Sequence, residues 1–444
     1  MLTITNAERI FIDGNNERTG PLHISAGIVA AEAAPVPAGS IPTSGVTAPS
    51  DGEVLDATGC VVTPGLVNAH HHLLQSAFRT LPGTRGVAMS EWLPTMAKAY
   101  GTATIDPELA GLAAAAGAAE GLLCGVTTVA DHHLSWPHAA DTVAIASASA
   151  EAVRRVGARL AFVRGTAGDD PQTAATSTED IVAALMPGAT GGTSGDGMLQ
   201  LAVGPAGVHS DGPETYKLLG EVARRHGLRR RTQSNEQVDV GIALERYGRR
   251  PLELLEDWGW LEDDVTLAHL CDVTPGEISR IAASGATATH APGCDLPMGW
   301  GIAPVAALLD AGVNVGLGTS GGGSNDAGHL LADARLAMQI APLVGRAVSA
   351  REVLSMSTEG SARGLGRPEL GHLRAGAAGD LCVWDVSGIT DAGVADPVAG
   401  ILWASPGRRP RHVVVAGRVV VRDFRLVGAD EHDLVIALHR RVGR

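Results

Sequence analysis

The sequence predicts an α/β chain built as a (β/α)8 TIM barrel, with a small β-sandwich domain formed by its N- and C-terminal segments. Three observations carry this. Apolar runs of strand length alternate eight times with longer Ala- and Leu-rich amphipathic stretches, the pattern of parallel βα units. Both ends instead carry short β-rich runs broken by Gly, Pro, Asn and Ser. The 444 residues can hold one large barrel, which takes about 250 residues or more, together with an appendage.

At the amino end, strands are predicted over 2–4, 9–12, 22–24 and 27–30, and at the carboxyl end over 380–385 and 412–421. Two β-rich ends around a different middle place residues 1–58 and 370–444 in one small antiparallel unit, with the barrel over 59–369 inserted between them. The eight barrel strands are predicted over 61–69, 126–131, 159–165, 199–204, 228–233, 265–269, 286–290 and 313–319. Helical patterns follow most of them, for example over 213–226, 275–283, 303–311 and 326–340. The Gly-rich stretch 188–197 reads as a loop and not as a domain boundary. In such a barrel the active site lies at the C-terminal ends of the strands.

Composition narrows the partners. Asp and Glu number 48 against 34 Lys and Arg, a net charge of −14, and no basic stripe is visible, so nucleic acid and anionic membrane are poor partners. Hydrophobic residues make up 45% of the chain but include only 7 Trp, 3 Tyr and 4 Phe, so the core is predicted to be mostly Ala, Val and Leu. The five cysteines, Cys60, Cys124, Cys271, Cys294 and Cys382, are odd in number and never in C-x-x-C spacing. That suits reduced thiols in the cytoplasm and supplies no thiolate zinc cluster. No basic n-region and apolar h-region open the chain, and the longest uncharged apolar stretch, 109–119, stops at Glu120, too short to span a bilayer. A cytoplasmic protein is the expectation.

Polar residues gather at the predicted strand ends. Strand one ends in His70, His71 and His72, and alternation puts His70 and His72 on one face. Two imidazoles on one face at a barrel mouth form half of a metal site, because neutral imidazole suits Zn²⁺ and related ions.

The run Thr63-Pro64-Gly65-Leu66-Val67-Asn68-Ala69-His70-His71-His72 resembles the strand-one signature of the amidohydrolase superfamily, in its cytosine deaminase and chlorohydrolase branch. The 125–131 run resembles that branch's second strand, Leu267-Ala268-His269 its sixth, Ala291-Pro292 with 298–304 its seventh-strand loop, and 315–319 with Ser324-Asn325-Asp326 its eighth. The 379–381 and 415–420 runs match its closing β-unit. Within the branch, the pattern resembles that of the s-triazine hydrolases and 8-oxoguanine deaminases, which share His70-x-His72 and Gln75 or its equivalent.

The resemblance implies metal-assisted hydrolysis, in which a Lewis-acidic ion activates water for attack on an sp² ring carbon while a carboxyl group moves the proton. It assigns the metal to His70, His72, His269 and the strand-five position Gln233, with one Zn²⁺ expected and Fe²⁺ the alternative. Glu236 matches the proton-shuttling glutamate and His269 the histidine that orients water and substrate. The implied substrate is a small nitrogen heterocycle such as a purine, pyrimidine or s-triazine, losing an amino or chloro group. A homo-oligomer, a dimer, is the implied assembly.

Two positions depart from the pattern. The family's strand five carries His-x-His, where this chain has Arg231 and Gln233. An amide oxygen is a poorer Zn²⁺ ligand than imidazole, and at ~6 Å with an effective dielectric of about 20 a nearby cation repels a dication by roughly 5 kcal/mol before screening. Weak metal binding is the expectation. On strand eight, Ser320 stands where the branch usually has a metal-binding aspartate, so proton removal falls to Glu236 or His269. These losses motivate a second reading, a non-hydrolytic or non-catalytic relative with a degraded metal site.

Other motifs are weaker. Gly318-Thr319-Ser320-Gly321-Gly322 fits G-x-S-x-G, and Gly316, Gly318 and Gly321 fit a dinucleotide fingerprint, but both fall on the last strand of the wrong topology. No P-C-x-x-C motif of the other zinc deaminases occurs. Gln75 and Trp92 could contact a flat ring, or pack within their loop. One of His132 and His133 is expected to face the pocket, with His133 taken as substrate-binding. Asn325 and Asp326 either line the site or cap the following helix, and Asp295 is expected to alter substrate recognition. His209 and His290 are strand-end histidines with no assigned geometry.

Overall fold

The computed structural model describes residues 1–31, 52–188 and 191–443. Eight parallel strands form an α/β barrel of the TIM type: Leu66–His72, Val126–His133, Arg159–Thr166, Leu199–Pro205, Arg229–Ser234, Val265–His269, Thr287–His290 and a split eighth strand. Nearly every residue of these strands is buried, as expected when helices cover the outside of a parallel sheet.

Strands one and eight differ from the sequence expectation. The run predicted as one strand over 61–69 is two, Cys60–Pro64 in a terminal sheet and Leu66–His72 in the barrel. The break is at Gly65, where a Cβ would lie 2.2 Å from the Thr127 hydroxyl, so only glycine lets the chain cross between sheets there. Strand eight pairs with Thr287–His290 through Val315–Leu317 and with His71–His72 through Ser320–Gly321. Between its halves the Gly318 amide donates to the His290 carbonyl at 2.9 Å and the Thr319 amide to that of His70 at 3.1 Å. One broken strand thus closes the ring.

The helices follow their local signals. Pro213–His226 ends at left-handed Gly227, and Pro275–Ser284 opens on a capping box between Thr274 and Glu277. The last barrel helix starts later than predicted, at Leu330, because His329 caps it by accepting the Ala332 amide at 3.2 Å. Neither Asn325 nor Asp326 is the cap; Asp326 pairs with Arg85.

The ends form two sheets instead of one antiparallel unit. A seven-stranded sheet runs Arg425–Leu426, Arg418–Arg422, His412–Val415, Leu381–Asp385, Cys60–Pro64, Arg9–Asp13 and Asn16–Arg18, with the Arg9–Asp13/Cys60–Pro64 pair parallel. A four-stranded sheet runs Ile28–Val29, Leu22–Ser25, Leu2–Thr5 and Glu53–Asp56. Alternation in the larger sheet divides its side chains. Ile10, Val62, Val383 and Val414 join a buried cluster with Ile4, Leu22 and Ile24 of the smaller sheet, while Phe11, Val61, Trp384 and Val413 join the main core. Among the described residues, no helix is long and apolar enough to cross a membrane.

Candidate active site

At the C-terminal ends of the strands the histidines converge. The His70 ring centroid lies 4.9 Å from that of His72 and 5.1 Å from that of His269. Imidazoles bound at about 2.0–2.1 Å to one tetrahedral ion place their centroids roughly 5 Å apart, so each of these two pairs has the spacing of two ligands sharing one centre. His72 Nδ1 donates to the His132 carbonyl at 2.6 Å, which leaves Nε2 as its lone-pair nitrogen. His70 Nε2 is buried and has no partner among the described residues. Burial, reinforced by its histidine neighbours, holds His70 well below the usual imidazole range, and burial brings His72 down to about 4. Both therefore keep their lone pairs at neutral pH.

His269 is held from both sides. Its Nδ1 donates to Asp295 Oδ1 at 2.6 Å, the carboxylate–histidine pairing that fixes the ring of a metal ligand. Its Nε2 lies 3.1 Å from Gln233 Oε1 and 3.6 Å from Glu236 Oε1. Burial alone would lower its pKa, but the carboxylates of Asp295 and Glu236 outweigh burial and raise it. Gln233 is oriented by its own amide, which donates to the Ala206 carbonyl at 3.0 Å and so turns Oε1 inward. The donor set of three imidazoles and one amide oxygen fits a single divalent ion, with Gln233 the weakest donor. Asp295, expected to alter substrate recognition, is wholly buried behind His269, with His290 Nδ1 3.7 Å from its other oxygen. Cys294 lies close enough to His269 and Asp295 to form an alternative metal-binding group. That group is weaker, because burial raises the Cys294 thiol far above its ordinary range and Asp295 is engaged by His269.

Glu236 stands at the N-cap of the helix Gln237–Tyr247 but does not cap it. Both its oxygens are buried without a partner among the described residues. Burial pushes its carboxyl up to about 6 against the opposing pull of His269 and His209, a value at which both protonation states are accessible. Backbone strain concentrates here: Asn235, His269, Leu270 and Ser320 all have φ between +53° and +77° without being glycine.

A cavity of about 310 Å³ opens beside these groups; His72 and Gln233 line it, whereas His70, His269 and Glu236 are not among its lining residues. Gln75, Trp92, His133 and Ser320 line it as well. Gln75 Oε1 accepts the Gly323 amide and Trp92 Nε1 donates to the Gly323 carbonyl, so both also tie down the loop after strand eight. His132 and His133 both line the cavity, where parity had allowed one. Asn325 does not: its amide donates to the Thr319 carbonyl and to Asp333.

Sequence reasoning missed two features. Leu74, Met89, Met96 and Tyr100 also line the cavity, and their scattered positions carry no local signal. Asp131 also lines the cavity; Leu73 N–H bonds one oxygen, the other is unpartnered, and burial raises the carboxyl to about 7. As the last acidic residue of strand two, it could have been found by position.

Residues 61–420 match the family model described as Amidohydrolase family. An 8-oxoguanine deaminase from Pseudomonas aeruginosa is 34% identical over 399 residues, 87% of each chain. A 5-methylthioadenosine/S-adenosylhomocysteine deaminase from Halobacterium salinarum is 33% identical over 402 residues, 89% of each. The crystal structure of an atrazine chlorohydrolase from Arthrobacter aurescens TC1 complexed with zinc superposes with a TM-score of 0.89 at 32% identity, covering 100% of both chains. Agreement across the whole barrel and the strands that flank it makes this chain a member of the amidohydrolase family.

Proposed function

We propose that this hydrolase removes an amino or chloro group from an sp² carbon of a small nitrogen heterocycle, a purine, pyrimidine or s-triazine. The observation that carries this is the convergence of His70, His72, Gln233, His269 and Glu236, of which His72 and Gln233 line the cavity. His70, His72 and His269, with Gln233 as a weak fourth, would hold one Zn²⁺, with Fe²⁺ the alternative; when bound, the ion supplies Lewis acidity toward water. Glu236 takes the proton from the attacking water and returns it to the ring nitrogen or the leaving group. Asp295 fixes the His269 ring, and the Ser320 hydroxyl, a poor base by itself, hydrogen-bonds water or substrate. Gln75, Trp92 and His133 face the flat ring, in a cavity that Leu74, Met89, Met96 and Tyr100 also line. The non-catalytic reading has no support among the relatives, which carry enzyme names.

Three further parts of this reading concern the whole molecule. The described residues of 1–58 and 370–444 form a β-sandwich unit around the barrel of 59–369, supported by the buried cluster that its two sheets share; residues 32–51 and 444 lie outside the described residues, and Cys60–Pro64 goes with that unit. The free cysteines suit the cytoplasm. A homodimer rests on the resemblance alone.

The test is ultraviolet spectral change across a panel of purines, pyrimidines and triazines, with and without added Zn²⁺. Glu236→Gln should lower kcat about 10²–10⁴-fold on any active compound while leaving bound zinc within a few-fold. An inert panel, or a fully active Glu236→Gln enzyme, would sink the assignment.

A further inference from the structure

Four histidines line the cavity, His72, His132, His133 and His209, and the last is unlike the others. Burial brings His72, His132 and His133 down to about 4, 3 and 4, so these three are neutral near pH 7. Burial also opposes a charge on His209, but the bond to Asp239 and the carboxylates of Glu236, Asp239 and Asp211 outweigh it and raise that imidazole. No Lys or Arg stands among the described residues that line the cavity. His209 is therefore the lining group that can bring it a positive charge.

The ring is held in place from two sides. His209 stands in the turn between strand four and the helix Pro213–His226, and its Nδ1 lies 3.3 Å from Asp239 Oδ1 on the helix Gln237–Tyr247. A carboxylate can only accept, so Nδ1 carries a proton. Asp239 is itself 1% exposed and is tied by the Asn235 amide, which donates to Oδ2 at 2.9 Å. A Cβ on Gly207 would lie 2.6 Å from His209 Nδ1 and 2.7 Å from Cε1, so the ring rests on the Gly207 backbone and a side chain there would displace it. Nε2 remains. It makes no hydrogen bond among the described residues, yet it is not one of the buried unpartnered atoms. With the side chain 11% exposed, Nε2 is the polar ring atom open to a ligand.

We propose that His209 is a substrate-binding residue of this cavity, donating from Nε2 to an oxygen or ring anion of the bound heterocycle, and that it makes the site favour oxo-substituted rings over rings without oxygen. The ligand class rests on the hydrolase reading of the preceding section; the preference goes beyond it. An imidazolium donor on a carbonyl oxygen makes a charge-assisted bond. A ring lacking that oxygen leaves the donor unpaired in a largely buried position, which adds to the discrimination.

The experiment is calorimetric titration of the full-length protein, supplied with Zn²⁺, with two pairs of rings that carry no amino or chloro group: hypoxanthine against purine, and uracil against pyrimidine. Binding is then read without turnover. In the wild type the oxo member of each pair should bind about 10–100-fold more tightly. His209→Phe should erase that difference by weakening hypoxanthine and uracil, while purine and pyrimidine stay within about threefold of wild type. His209→Leu gives the same reading if the phenylalanine variant does not fold. A wild type without the oxo preference, a preference that survives both substitutions, or equal losses for both members of a pair would each overturn the inference, and activity on the panel of the preceding section would leave the hydrolase reading standing. If that panel is inert but the oxo preference disappears with His209, the hydrolase reading falls and the binding role of His209 stands.

Discussion

Arg159 and Arg231 are both buried arginines on barrel strands, and the molecule treats them in opposite ways. Arg159 forms a two-point bond with Asp380, Nε to Oδ2 at 2.7 Å and Nη2 to Oδ1 at 2.9 Å, with Nη1 on the Gly197 carbonyl at 3.0 Å. Burial would lower its pKa, but Asp380 outweighs burial and raises it. Arg231 has no such partner: Nη2 bonds the Ala69 carbonyl, and Nε and Nη1 find nothing among the described residues. Burial, with a smaller push from Arg229, brings it down to about 9. Where strand three meets the closing β-unit, charge is neutralised for architecture. On strand five it is left open, as are atoms of His70, Asp131, His132 and Glu236 at other strand ends, and unpartnered buried groups of this kind call for an explanation other than the fold.

Two substitutions test that contrast, the larger first. Asp380→Ala strands a buried guanidinium and also removes the acceptor of the Ala416 amide, so it should cost about 3–5 kcal/mol, read as a lowered denaturation midpoint in urea. A loss below about 1 kcal/mol would mean that the pair is as dispensable as a surface bridge. Arg231→Met should cost little or even stabilise, because no ion pair is broken. It should also tighten Zn²⁺ by about tenfold or more, about 1.4 kcal/mol per decade, measured by chelator competition. Unchanged affinity would show that the cation does not act on the site.

The same contrast explains what the sequence could reveal. Strands three, four and six were legible because a parallel strand buried on both faces reads as a largely apolar run, whereas strand five, Arg229–Ser234, is polar throughout and was placed by its position between helical patterns. Strands one and eight were misjudged at their ends because those ends depend on distant partners: Gly65 on Thr127, and the halves of strand eight on His290 and His70. Among site residues, His70, His72, Gln233, Glu236 and His269 lie near one another because each stands at or just beyond the end of its own barrel strand. Asn325 and Asp295 were misassigned because local spacing places a residue on a loop without saying which way it turns. Asn325 turns to Thr319 and Asp333, and Asp295 turns behind His269. His132 and His133 both reach the cavity although parity opposes them, so alternation fails as a guide where a strand ends.

Carboxyl groups sharpen the comparison with the smallest expected effect. Asp13, in the terminal sheet, is buried yet held below the usual carboxylate range: burial raises it, but bonds from Arg374 and the Asn15 and Asn16 groups outweigh burial. Asp333, near the barrel mouth, has only the Gly293 amide at 2.8 Å and the Asn325 amide at 3.1 Å, and burial drives it up to about 7. Between about pH 4 and pH 7 the folded protein then keeps a proton on Asp333 that the unfolded chain has released. Bound protons are more numerous in the folded state, so stability falls as pH rises through that window, by at most about 1.4 kcal/mol per pH unit for one proton. Asp333→Asn cannot ionise, and its Oδ1 can still accept the Gly293 amide. Its stability relative to wild type should therefore be greater at pH 7.5 than at pH 5, measured by urea unfolding at both. A difference that does not change with pH would place Asp333 among the compensated carboxylates, with Asp13 and not with the mouth of the barrel.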